Sequence, residues 1–176
     1  MYYDLDDIAK DQQTLPCKFN VTVPNLGYLV GAPGTEMKKD ATVDLPVWLL
    51  RILAQTPIAP DSTTPFVTPL PTKEFAARVL NALKSDPSSV DLRLLSPVFF
   101  RLAEQWLTLM DAPELASVLI ESFKNRAAEI ADLATAKTTR DASEFLQRLD
   151  STESRLYRST HEANKDLKTW LATNQL

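Results

Sequence analysis

Glycine is scarce: three in 176 residues, at Gly27, Gly31 and Gly34, and none after that. Loops that cradle phosphates need glycine so that the backbone can approach the ligand. Neither G-x-x-x-x-G-K-[ST] nor G-x-G-x-x-G occurs, which argues against nucleotide chemistry of the usual kinds. Cysteine is reduced to Cys17, so no internal disulfide can form and a reducing compartment is expected. Histidine is reduced to His161. With no second His or Cys one helical turn away, a metal site has no basis. No apolar run approaches the roughly 20 residues that span a bilayer. The acidic start, MYYDLDDIAKD, does not read as a signal peptide. Positive charge is short as well. A net charge of −4 and a pI near 5.0 argue against a dedicated nucleic-acid binder.

What is present is ordinary globular composition, 44% apolar and 24% charged, enough for one core or a core with a small satellite. Over residues 17–23, Cys17, Phe19, Val21 and Val23 alternate with Lys18, Asn20 and Thr22. Period 2 predicts a half-buried strand. Pro24-Asn25-Leu26-Gly27 then turns the chain, Tyr28-Leu29-Val30 is expected to run back as a second strand, and residues 42–45 as a third. The fold class expected is mainly α, with a helical bundle domain after this small β-rich unit. The boundaries read as 1–45 for the β-rich domain, with a short N-terminal helix. Residues 46–71 read as an apolar helix and a proline-rich linker, and 72–176 as the helical domain.

Residues 46–53 are apolar on nearly every helical face, so this helix is expected to be buried all round, in the core or against a partner, and to pack with the helical domain. Trp48→Ala is then expected to cost on the order of 3–5 kcal/mol. Residues 57–71 hold five prolines in fifteen residues, a run that excludes a helix or a central strand and reads as an extended loop. Further on, Ser96-Pro97 predicts a helix start, followed by a wide apolar face with Phe99 and Trp106. Phe123 belongs to the next stripe. Residues 141–173 read as one long helix with Leu156 and Trp170 on its stripe and Glu153 at an intervening stripe position. The spacings of 3 and 4 suit antiparallel bundle packing.

Candidate chemistry is thin. Cys17 and His161 are the minimum set for a thiol hydrolase. The alternation instead makes Cys17 a small buried hydrophobe. Acidic pairs such as Asp6-Asp7 and Glu114/Glu121 have nothing converging on them. The late helix mixes seven basic and six acidic residues over 137–168, a solvated face and not a DNA-binding stripe. No catalytic, cofactor-binding or metal-binding residue is assigned, and no cofactor is expected. The positive signal is apolar surplus, which an obligate partner would cover. The residues that carry it, as core or as partner interface, are Tyr2, Tyr3, Trp48, Leu49, Ile52, Phe99, Trp106, Phe123, Leu156 and Trp170. The β-domain core is Cys17, Phe19, Val21 and Val23.

The pieces YYDLDDI, LPCKFNVTVPNLGYLVG, VDLPVWL, VLNALKSDPSSVDLR, FKNRAAEIAD and LDSTESRLYRSTHEANKDLKTWL follow one another along almost the whole chain. In that order the chain resembles the Psf-three subunits of GINS, the four-subunit complex of eukaryotic DNA replication. The resemblance implies a small β-rich domain before a helical one, a non-catalytic role, and a place in the nucleus at the replication fork. It implies three sister subunits as partners. Beyond them it implies the minichromosome-maintenance hexamer, Cdc-forty-five and the leading-strand polymerase. A helical adaptor of another nuclear complex is the alternative.

Overall fold

The computed structural model describes residues 4–136 and 142–173. The chain forms two compact units. The first takes the chain up to Lys73 together with Gln105–Asp111; the second takes Glu74–Glu104 and the chain from Ala112 on. The order is a small sheet first and helices after it, a mainly α fold as the sequence implies.

The first unit opens with helix α1 (Leu5–Gln12). Its N-cap is Asp4, whose carboxylate accepts the Asp6 N–H at 3.0 Å, and Asp6 and Asp7 face the positive end of the helix dipole. Strand β1 (Thr14–Phe19) lies at the centre of an antiparallel sheet, between β2 (Thr42–Pro46) and β3 (Val67–Pro69). Cys17 sits opposite Val43 on one side and Pro69 on the other. Leu15, Cys17 and Phe19 are buried while Pro16 and Lys18 are less so, the alternation a one-sided sheet requires. Pro16 is tolerated in the central strand because its absent N–H faces the place where β3 has ended. Its carbonyl there still accepts from Leu70 at 2.9 Å.

Three expectations for this unit are corrected. First, the strand ends at Phe19, two residues before Val21, and Val21 and Val23 are only half-buried. The Asn20 amide donates to the Pro65 carbonyl at 2.9 Å and to Thr68 Oγ1 at 2.7 Å, which fixes the chain where it leaves the sheet. Val23 pairs only with Met37, in an isolated bridge. Second, Tyr28-Leu29-Val30 is not a returning strand. It belongs to a single 3-10 turn, Gly27–Val30, with all three side chains exposed. Gly27 closes that turn so tightly that a Cβ would lie 2.1 Å from Thr35 Oγ1 and 2.6 Å from the Ala32 carbonyl. Third, the proline run is not merely a linker: it comes back as β3. The exclusion of a central strand holds, since β3 is an edge, where proline costs little.

Helix α2 (Val47–Gln55) starts directly after β2 and packs on all three strands and on α1. Val47 and Leu50 are fully buried, whereas Trp48 and Ile52 are 47% and 53% exposed. Within this chain alone, α2 is therefore buried on one side only and is not enclosed in the core all round. One helix on one sheet has only one face to bury.

The second unit contains α3 (Ala77–Ser85), α4 (Leu92–Leu95), the start of α5 (Phe99–Leu109), α6 (Pro113–Thr135), α7 (Ala142–Gln147) and α8 (Ser151–Thr173). An edge-on chain of rings, Phe75, Phe99, Phe100 and Phe123, lines part of its core with centroids 4.9–5.6 Å apart. A second cluster gathers Ile130, Phe145 and Leu149, with Leu156 and Tyr157 against it. The single helix expected over 141–173 is two, broken at Arg148–Asp150. The antiparallel expectation also fails for α6 and α8. Arg126 meets Glu153, and eight residues further on Ala134 meets His161, so these two helices run parallel.

Candidate interaction surfaces and the charge network that places them

In the first unit, the sheet takes one face of α2 and leaves the other open. Trp48 and Ile52, one turn apart, form an apolar stripe flanked by exposed Arg51 and Gln55. Leu49, between the two faces, is half-buried. Helix α1 packs against α2 and adds two exposed aliphatic side chains, Leu5 and Ile8. Scattered apolar residues on a surface are normal. An exposed tryptophan and isoleucine on one helix face, beside a second helix with two more, are a patch of the kind that marks an interaction site.

In the second unit, α8 is placed by a buried charge network. Arg126 lies mid-helix on α6 and is fully buried, as is Glu153 on α8. The guanidinium donates to both Glu153 carboxylate oxygens, Nε to Oε1 at 2.6 Å and one terminal nitrogen to Oε2 at 2.9 Å. The other terminal nitrogen donates to the carbonyls of Pro87 at 2.6 Å and Val90 at 3.1 Å. The Phe145 ring lies under the guanidinium carbon at 5.1 Å. This satisfaction is what makes a buried ion pair tolerable.

Asp150 completes the network and starts α8. Its Oδ1 accepts the Glu153 N–H at 2.8 Å, and the Glu153 carboxylate accepts the Asp150 N–H at 3.2 Å. That reciprocal arrangement is a capping box, and D-S-T-E at 150–153 is its sequence signature. The other oxygen, Oδ2, accepts the Phe100 N–H at the start of α5 at 3.0 Å. One carboxylate thus ties two helix starts together. Burial pushes its pKa up to about 6, with a smaller push from Glu153. The N–H bonds from Glu153 and Phe100, and the Arg126 charge, oppose the rise. Glu153 lies at a stripe position of the sequence pattern, but its partner Arg126 is 27 residues away, beyond the reach of local spacing. The capping signature was the signal available for the helix break.

So anchored, α8 outruns α6. The Ala134 carbonyl, one residue before the end of α6, meets His161 Nδ1 at 3.3 Å and Asn164 Nδ2 at 3.4 Å. Every residue from Lys165 to Thr173 is exposed, including Leu167, Trp170 (61%) and Leu171. At 1.5 Å per residue these exposed last turns are roughly 13 Å long.

The remaining candidates sort by burial. Phe99 and Trp106 are buried, Phe123 and Leu156 are half-buried, and Tyr2 and Tyr3 lie outside the described residues. Cys17 is fully buried and its Sγ donates to the Val43 carbonyl at 3.2 Å. Burial, and secondarily Asp44, push its pKa up to about 11, the opposite of what a nucleophile requires. His161 stacks on Tyr157. Among the described residues, no group of three or more His, Cys, Asp or Glu side chains could hold a metal ion, and no helix is long and apolar enough to cross a membrane.

Comparison with known proteins matches two stretches of the chain. Residues 3–55 match the family model of the PSF3 N-terminal domain, which ends with α2. Residues 74–172 match that of the GINS complex protein helical bundle domain. The chain is 40% identical to the DNA replication complex GINS protein PSF3 of Kluyveromyces lactis, with 97% of each chain covered. It is 43% identical to that of Aspergillus fumigatus, over 96% of this chain and 95% of the relative. It is 36% identical to that of Saccharomyces cerevisiae, again over 97% of each. Family models over both units and full-length identity at this level establish that the chain belongs to the PSF3 family of GINS complex proteins.

Proposed function

We propose that this chain is a non-catalytic structural subunit of the GINS heterotetramer. In that role it serves the initiation and elongation of DNA replication in the nucleus. Three sister subunits would cover its apolar faces. Through the assembled complex it would join the minichromosome-maintenance hexamer and Cdc-forty-five in the replicative helicase and help dock the leading-strand polymerase. The observation that carries this reading is the pair of exposed apolar faces, Trp48 with Ile52 in one unit and Leu167 with Leu171 in the other. Each sits on an element rigidly held on its opposite side or at its start, which suits a surface built to be covered and not a flexible tail. The buried, proton-retaining thiol of Cys17 supports a structural role for the chain's single cysteine.

Co-expression with the three sister subunits tests it. The expected result is a stable complex of one copy each, from which this chain does not dissociate on size exclusion. A stable, soluble monomer that never enters such a complex would overturn the proposal.

A further inference from the structure

The chain has four Ser/Thr-Pro steps: Thr56-Pro57, Thr64-Pro65, Thr68-Pro69 and Ser96-Pro97. A hydroxyl residue followed by proline is the chemical signal read by proline-directed protein kinases. Proline has no N–H and a fixed φ, and it biases the preceding residue toward extended backbone. Such a kinase needs the acceptor hydroxyl free and the residues before it able to lie extended in its cleft.

Three of the four steps are closed. Thr56 ends α2, so the residues before it are helical, and its Oγ1 donates to the Ile52 carbonyl at 2.8 Å. Thr68 stands in β3 opposite Lys18, and its Oγ1 accepts from the Asn20 amide at 2.7 Å. Ser96 is 2% exposed, follows α4, and its Oγ accepts the Val98 N–H at 3.3 Å. Thr64 alone combines a free hydroxyl with irregular backbone before it, although Thr56 is exposed too and Pro65 pairs with Pro57 in an isolated bridge. Thr64 is exposed, it follows the irregular stretch at residues 62–63, and its hydroxyl has no hydrogen-bond partner among the described residues. Its two backbone bonds, from the Ile58 N–H to its carbonyl at 3.0 Å and from its N–H to Ser62 Oγ at 3.1 Å, do not involve the hydroxyl.

We infer that Thr64 is a phosphorylation site for a proline-directed kinase, and that the fold selects it from the four steps the sequence offers. In the reaction the γ-phosphoryl group of ATP passes to Thr64 Oγ1. The bond from the γ-phosphorus to the ADP oxygen breaks, the Oγ1–P bond forms, and the hydroxyl proton leaves to the kinase's base. The product adds about −1.5 to −2 charges to a chain that is already acidic.

The test uses the full chain, purified in the assembly in which it is recovered from cells. The assembly is incubated with a cyclin-dependent kinase and magnesium ATP, and each acceptor's occupancy is followed by phosphopeptide mass spectrometry. Four synthetic peptides spanning the four steps are run in parallel. The expected result is that Thr64 is modified at least tenfold faster than Thr56, Thr68 and Ser96 in the folded protein. Among the free peptides that preference should collapse, and Thr64→Val should remove most of the incorporation. Modification of another step at a comparable rate in the folded chain would overturn the assignment. So would failure of Thr64 to react in the folded protein or in its own peptide.

Discussion

Cys17 illustrates how a residue's neighbours decide its chemistry. Its side chain fills the sheet face between Leu15 and Phe19, donates to a backbone carbonyl and holds its proton to about pH 11. Alkylation by iodoacetamide at pH 8 is therefore expected to be at least a hundredfold slower in the folded protein than in urea, and reaction at comparable rates would contradict this packing. Arg126 and Glu153 carry the larger stake. Removing one partner leaves a buried charge uncompensated, so Glu153→Ala is expected to destabilise by about 3–5 kcal/mol. The double variant Arg126→Met with Glu153→Leu should recover much of that loss. Denaturant unfolding of the single and double variants measures the coupling, and strictly additive losses would argue against a direct pair.

Asp150 adds a pH dependence with a definite sign. Its folded-state pKa of about 6 lies above the ordinary value of 3.8, so the folded state binds the proton more tightly. Its contribution to stability is full below about pH 4, falls as pH rises, and is lost above about pH 6. The span of roughly two pKa units corresponds to about 3 kcal/mol. Asparagine cannot ionise, but its single carbonyl oxygen can accept only one of the Glu153 and Phe100 N–H bonds. The cost of Asp150→Asn should therefore be larger at pH 4.5 than at pH 7. A cost that stays flat or grows with pH would sink the assignment.

Among the elements, α2 and α8 matter most for function, and both are amphipathic in a way composition hid. Because Trp48 stands 47% exposed, Trp48→Ala cannot cost the 3–5 kcal/mol expected of a buried tryptophan. In the isolated chain we expect about 2 kcal/mol, since about half of the side chain is buried. The same substitution combined with Ile52→Ser should weaken assembly with the sister subunits at least tenfold, read by size exclusion or titration calorimetry. An unchanged assembly would mean that this face is not an interface. For α8, Leu167→Ser should shift the unfolding midpoint little, since Leu167 stands 54% exposed beyond the Ala134 contact. The helix break at Asp150 was legible as a capping box. The fate of Tyr28-Leu29-Val30 was not. Three apolar residues between glycine turns fit a strand or a turn equally well by composition, and contacts made by Thr35 and Ala32 chose the turn.

At the scale of the whole molecule, local patterns gave a small β-rich unit before helices, and the ordered motifs gave the resemblance to GINS subunits that the family models over residues 3–55 and 74–172 bear out. Local rules decided that much. Alternation marks a strand, 3-and-4 spacing marks a helix, proline and capping residues mark their ends, and each acts over a few neighbouring residues. What only the tertiary structure decided is which face of each element meets another. It turned the proline run back as an edge strand, set α6 and α8 parallel, and buried Arg126 against Glu153. It also left Trp48 exposed and one hydroxyl of four free. Those outcomes depend on residues far apart in the chain meeting in space. Their energies lie in desolvation and in hydrogen bonds between elements, which no local pattern encodes.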